Sequence, residues 1–259
     1  MHNCVVSIGF EGMPQYMIYD LIRESFMKGE GEFLTGKVYR GGATVYHELK
    51  ISDDLGLSAT VVVGDGRIAN VNYVFPIMYR GVAKTEDFLL DVDYSNDSFI
   101  LENNLAMEGK HIRANIANGN MYHNWLAGHY DDLICADVRL CGYMIGATVL
   151  LPAAAPQKNP GRNALRNEFI STYDTYLSPS YLGSETYEVL AYIKDVSRVI
   201  NPITKQEVCI LDVWCWHMEF SVVVNADSIL GEPAPGYRLK GVLWLSGYLT
   251  AKPYVHKDL

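Results

Sequence analysis

The sequence predicts an α+β protein: a mixed, mainly antiparallel sheet with one or two helices, followed by a small C-terminal β-barrel of the OB or SH3-like kind. Three observations predict it. Residues 33–75 hold four β-like runs in two pairs, each pair broken by a glycine turn, Gly41-Gly42 and Gly64-Asp65-Gly66. Ahead of them, Pro14 precedes apolar residues at helical spacing. The runs 189–200, 208–224 and 237–251 are long and β-like, and about five strands in so short a stretch suit a small closed barrel. The expected division is an α+β domain over 1–183 and a barrel over 184–259.

Each element follows from local chemistry. Residues 4–8 read as a short strand ended by Gly9. Tyr16, Met17, Tyr19 (or Asp20), Leu21, Ile22 and Phe26 then form a helical stripe that Gly29 and Gly31 stop. Strands are expected at 33–40, 43–51, 58–63 and 67–75, with Pro76 ending the last or marking an edge. Phe88-Leu89-Leu90 and Phe99-Ile100-Leu101 read as two further strands, 111–117 as another, and 133–151 as one long strand or two. Residues 152–163 read as a loop and a helix is expected after it, with Asn159 as N-cap. The Tyr-, Ser- and Pro-rich stretch 174–187 reads as a linker.

Composition excludes several classes. Of 259 residues 49% are apolar and 20% charged, which rules out a disordered chain. Five cysteines, an odd and sparse set, do not make a disulfide scaffold. With a net charge of −9 and a pI near 5.2, the chain is a poor general binder of nucleic acid. Neither half is basic: 1–183 holds 14 basic against 21 acidic residues, and 184–259 holds 7 against 9. The start, Met1-His2-Asn3-Cys4, lacks the basic region of a signal peptide. The stretch from Leu140 to Ala155 is short for a spanning helix and reads as a buried strand entering a loop. A cytoplasmic protein with reduced cysteines, no membrane association and no cofactor is the expectation.

Four patterns carry candidate chemistry. Asp91, Asp93, Ser95, Asp97 and Glu102 have the oxygen-ligand spacing of a calcium loop, but Asn96 stands where such loops place glycine and the flanks are strand-like, so a solvated acidic hairpin competes. His123, His129, Asp131 and Asp132 form a polar cluster that suits acid–base or metal chemistry, with Cys135, Asp137 and Cys141 just beyond. Alternation there puts Cys135, Asp137 and Arg139 on one strand face, with an Asp–Arg pair, and Ala136, Val138 and Leu140 on the other. In Trp214-Cys215-Trp216-His217, unbroken alternation sends Trp214, Trp216, Met218 and Phe220 to one side and Cys215, His217 and Glu219 to the other. The tryptophan side is a barrel core or a stacking platform for bases or sugars, and the other side a Cys-His-Glu row. Lys158, Arg162 and Arg166 lie at the start of the expected helix, as a solvated face or an anion site. Hydrolase and phosphate-loop motifs are absent.

Turn and packing residues at both ends carry a resemblance. Met1-His2 with Ile8-Gly9-Phe10, Phe75-Pro76 with Arg80-Gly81, and Leu230-Gly231-Glu232-Pro233 with Gly236, Lys240-Gly241, Trp244-Leu245 and Gly247 resemble an uncharacterised family, a domain of unknown function from Gram-positive anaerobic bacteria. The resemblance implies a bacterial cytosolic protein and transfers no activity. In the closing stretch Gly241 and Gly247 suit a sharply coiled strand, and Trp244 is expected to cap the barrel core.

With no catalytic motif and with 18 Tyr and 4 Trp, the leading expectation is a non-enzymatic binding or assembly module with a protein partner or a second copy. The alternatives are an enzyme, hydrolytic in type, with His123, His129, Asp131 and Asp132 in a cleft between domains, and single-stranded nucleic-acid or sugar binding through Trp214, Trp216 and Trp244.

Overall fold

The computed structural model describes residues 4–65, 67–80, 87–93, 98–103, 111–122, 125–126, 128–129, 132, 134–151, 175–182, 186–215 and 218–255. Among them the chain is mostly β-sheet with one α-helix, an α+β arrangement. The expected loop at 152–163 and the helix after Asn159, with Lys158, Arg162 and Arg166, lie outside the described residues.

The first described element is a buried 3-10 turn, Cys4–Ile8, where a strand was expected. Ser7 donates its hydroxyl to the Cys4 carbonyl at 2.6 Å, and this local bond holds the backbone in a turn that a ladder would open. Helix α1 (Gln15–Lys28) follows Pro14 and ends at Gly29, which takes the left-handed conformation. Its buried residues Ile18, Ile22 and Ser25 make the inner stripe.

Four antiparallel strands come next: β1 (Glu32–Tyr39), β2 (Gly42–Lys50), β3 (Leu55–Gly64) and β4 (Arg67–Met78). The two glycine turns therefore fall where the sequence put them. Pro76 lies within β4, an edge strand, where its missing N–H costs no ladder bond.

The second sheet holds the remaining strands. These are β5 (Asp87–Asp93), β6 (Ser98–Asn103), β7 (His111–Ile116), β8 (Ile134–Leu150), β9 (Tyr176–Pro179), β10 (Thr186–Ile200), β11 (Glu207–Cys215), β12 (Met218–Asn225), β13 (Ile229–Leu230), β14 (Arg238–Leu249) and β15 (Tyr254–Val255). Two expectations are corrected here. The stretch 174–187 contains β9, which pairs with β10. The run 208–224 is two strands, because β11 turns back into β12 after Cys215.

Pairing runs in two circuits that share β8 and β14. One goes from β8 through β5, β6 and β7 to β14. The other goes from β8 through β12, β11 and β10 to β14, antiparallel except for β12 beside β8. Hydrogen bonds between β8 and both β12 and β14 thus cross the 183/184 division expected from the sequence.

Alternation sorts the side chains into two cores. Ala136, Val138 and Leu140 of β8 join Val189, Leu211, Phe220, Val222, Leu243 and Leu245 in one. The opposite sides of β8, β11 and β12 give Cys141, Tyr143, Ile210 and Val223 to the other, shared with Ile8, Phe10, Ile18, Ile22, Leu57 and Val61. β8 therefore has a core on both faces. Gly241 marks the shift in register between β14 and β8, and a Cβ there would stand 2.2 Å from Met144 Cε and 2.9 Å from the Gly146 carbonyl oxygen. Trp244, expected to cap the first core, is half-buried against the second. It stands opposite Tyr143, whose face of β8 also belongs to the second core.

Candidate functional site

The hairpin after Cys215 reverses the expected facing of the tryptophan strand. Cys215 and Met218 stand directly opposite each other, so both point inward, and Val213 joins them in the core. Trp214 falls on the outer face and is half-buried. Met218 and Phe220 are core, as expected, whereas Cys215, expected outside, is fully buried. The alternation fails because the turn breaks parity between the two strands. Asp212 was the available signal: it shares a face with Trp214 and does not belong in an apolar core. Trp216 and His217 lie outside the described residues.

On that outer face one row crosses five strands: Leu150, Arg238, Tyr192, Trp214 and Glu219, each directly opposite the next. Tyr192 and Trp214 have ring centroids 6.3 Å apart and are tilted by 31°. Lys194, at the shift in register between β10 and β11, reaches Glu219 with Nζ 2.6 Å from Oε1. In the next row Asp195 faces Asp212, and Ser221 donates its hydroxyl to Asp212 at 2.6 Å. The face thus combines two aromatic rings with hydrogen-bonding groups of both signs.

Further along the same strands the outer face is closed. Val208, Ile210 and Val223 pack against the N-terminal turn and α1. Asn201 donates its amide to the Ile8 carbonyl at 2.8 Å, Gln206 donates to the Glu11 carbonyl at 2.8 Å, and Asn225 donates to the Glu11 carboxylate at 3.0 Å. These bonds fix the N-terminal segment across one end of β11 and β12.

A second polar cluster bridges the two sheets. Glu48 of β2 is buried and accepts hydrogen bonds from Tyr46 at 2.7 Å and from Tyr248 of β14 at 3.3 Å. Burial, then the Glu48 charge, pushes the Tyr46 phenol up, so it stays a donor. Arg139 of β8 donates to the Tyr79 carbonyl, in place of the Asp–Arg pair expected with Asp137. Nearby, Ser25 of α1 and His47 of β2 meet at 2.6 Å, but both are buried between the helix and the sheet, with Phe26 edge-on to the imidazole. A serine and a histidine so enclosed hold the helix to the sheet.

Of the expected polar cluster, His123 and Asp131 lie outside the described residues. His129 is half-buried, stacks on Trp125 at 4.3 Å and donates Nδ1–H to the Trp125 carbonyl at 2.7 Å. Asp132 is exposed, and its backbone N–H donates to the His129 carbonyl at 3.1 Å. Lys252 Nζ lies 5.4 Å from the Trp125 ring centroid, so the indole has two basic neighbours. Of the calcium pattern, Asp91 and Asp93 stand on β5 and Glu102 on β6, with Asp91 opposite Ile100 and Glu102 opposite Leu89. Ser95 and Asp97 lie outside the described residues. Among the described residues, no group of three or more His, Cys, Asp or Glu side chains gathers as a metal site.

All five cysteines are free and buried. Burial pushes the thiols of Cys4, Cys141 and Cys215 up to about 12, which removes their nucleophilic form near neutral pH. No described helix is long and apolar enough to cross a membrane.

No curated protein and no solved structure matches the chain. The closing motif from Leu230 to Gly247 falls within a matched stretch; the motifs at residues 1–10 and 75–81 fall outside it. Over residues 157–247, roughly a third of its length, the chain matches a family described as a domain of unknown function, E. rectale Gene description (DUF3881).

Proposed function

We propose that this protein is a non-enzymatic binding module and that its contact surface is the outer face of β10, β11 and β12 around Trp214. One observation carries the reading: a tryptophan and a tyrosine lie side by side outside both cores, in a row with charged groups. Large aromatics with a polar rim are the usual anchors of recognition surfaces. The buried thiols and the enclosed Ser25–His47 pair support a binding role over nucleophilic catalysis.

The proposed scaffold is a five-stranded barrel over 184–259 that takes β8 as its fifth strand. Three features support closure: the circuit β10–β11–β12–β8–β14, its single parallel pair, and the alternate residues of all five strands in one core. This is the neighbour order of an OB barrel in which the last strand comes first in the chain. Of the expected kinds, OB is therefore favoured over SH3-like. A cytosolic bacterial setting fits the reduced, buried cysteines.

Acrylamide quenching of tryptophan fluorescence tests the contact surface. Native protein is expected to show a quenchable component that Trp214→Phe removes. Equal quenching of both proteins would place Trp214 out of reach of any ligand and sink the reading.

A further inference from the structure

Resting on that binding reading, we propose that the Trp214 face takes a neutral oligosaccharide. The aromatic pair supplies flat apolar surface, which suits the C–H faces of a sugar ring as well as a base. The charges around the pair separate these two ligands. Asp195, Asp212 and Glu219 bring three carboxylates to the two rows, and their one exposed ammonium, Lys194, is already paired with Glu219 at 2.6 Å. The other cation of the row, Arg238, is buried. Within the two rows three carboxylates therefore meet two cations, Lys194 and Arg238, with the exposed Lys240 one row further along β14, so among the described residues a phosphate backbone finds little uncompensated positive charge, in a chain whose net charge is already −9.

A polyhydroxy ligand has the opposite needs. Its hydroxyls donate to carboxylates and accept from an ammonium without changing the local charge. Asp212 is half-buried and held by the Ser221 hydroxyl at 2.6 Å, and Glu219 is held by Lys194, so both acceptors are fixed before a ligand arrives. The Tyr192 and Trp214 centroids lie 6.3 Å apart, so the two rings together offer more flat surface than either alone. Among the described residues the N-terminal segment closes one end of β11 and β12, and Trp214 lies toward the other end.

The test is a titration of the full chain, followed by tryptophan fluorescence and calorimetry, with maltohexaose, cellohexaose and chitohexaose. A twelve-residue oligo-dT at low and high salt serves as the nucleic-acid probe. Saturable binding of one hexasaccharide is expected, insensitive to salt. Trp214→Ala should weaken it about tenfold or more, the scale of one lost aromatic stack. Glu219→Gln, which keeps the shape of the side chain, should also weaken it, in a protein whose melting temperature is unchanged. Binding of oligo-dT that falls as salt rises would overturn the sugar assignment in favour of nucleic acid. If acrylamide reaches Trp214 but no hexasaccharide binds, the sugar assignment fails and the binding surface stands. If acrylamide does not reach Trp214, both fail.

Discussion

Glu48 shows how a single buried charge shapes this molecule. Two phenols satisfy one of its oxygens, and one of them belongs to the other sheet. Glu48→Ala would leave the Tyr46 hydroxyl buried without this acceptor, at a cost of about 1–3 kcal/mol. Glu48→Gln keeps an acceptor and is expected to lose less; urea unfolding of the two variants measures the difference. The cysteines make a second prediction. Their folded thiols hold protons to about pH 12, while unfolded thiols lose them near their ordinary value of 9. Between these limits the unfolded chain binds fewer protons, so stability is full below about pH 9 and falls as pH rises toward 12. Denaturant midpoints measured from pH 7 to 11 should drop only above pH 9. A thiol reagent at pH 8 should react with the native chain only as fast as it unfolds. Cys215 and Trp214 also mark the residue-scale limit of the sequence: alternation was legible, but which parity faced inward depended on Cys215 pairing with Met218.

At the scale of elements, glycine and proline punctuation decided most outcomes. Both N-terminal hairpins and α1 have strong local signals and form where those signals lie. The 3-10 turn at Cys4–Ile8 does not, since its apolar run reads equally well as strand. Beside the local Ser7–Cys4 bond, a distant residue seats it: Asn201 donates to the Ile8 carbonyl and accepts from the N–H groups of Ile203 and Thr204. Asn201→Ala should therefore cost about 1–3 kcal/mol, and hydrogen exchange should show the loss concentrated at residues 4–11. Protection unchanged there would mean that packing alone seats the segment. Gly241→Ala should lower the melting temperature, because Met144 and the Gly146 carbonyl leave no room for a Cβ.

At the scale of the whole molecule, β8 is the strand on which both cores depend. It pairs with β5, β12 and β14 and is packed on both faces. A fragment of residues 184–259 would expose the edges of β12 and β14 and the inner side chains Val222 and Leu243. It is expected to give a collapsed amide spectrum, whereas a fragment that also contains residues 132–151 should give a dispersed one. A dispersed spectrum from 184–259 alone would instead place a domain boundary at 183/184.

Local chemistry alone determined the first helix, the N-terminal hairpins and the excess of carboxylates, because each depends on neighbours within a few residues; that 133–151, one strand or two by sequence, holds the single strand Ile134–Leu150 was settled by its partners. It also made Trp214 visible as a candidate. Only the tertiary structure decided where that candidate points, what satisfies Glu48, and that Ser25 of the helix meets His47 of the sheet. Strand partners are chosen by matching faces across long stretches of chain, and a one-residue change of parity in a turn exchanges inside for outside. The sequence records the faces but not the turn that orients them.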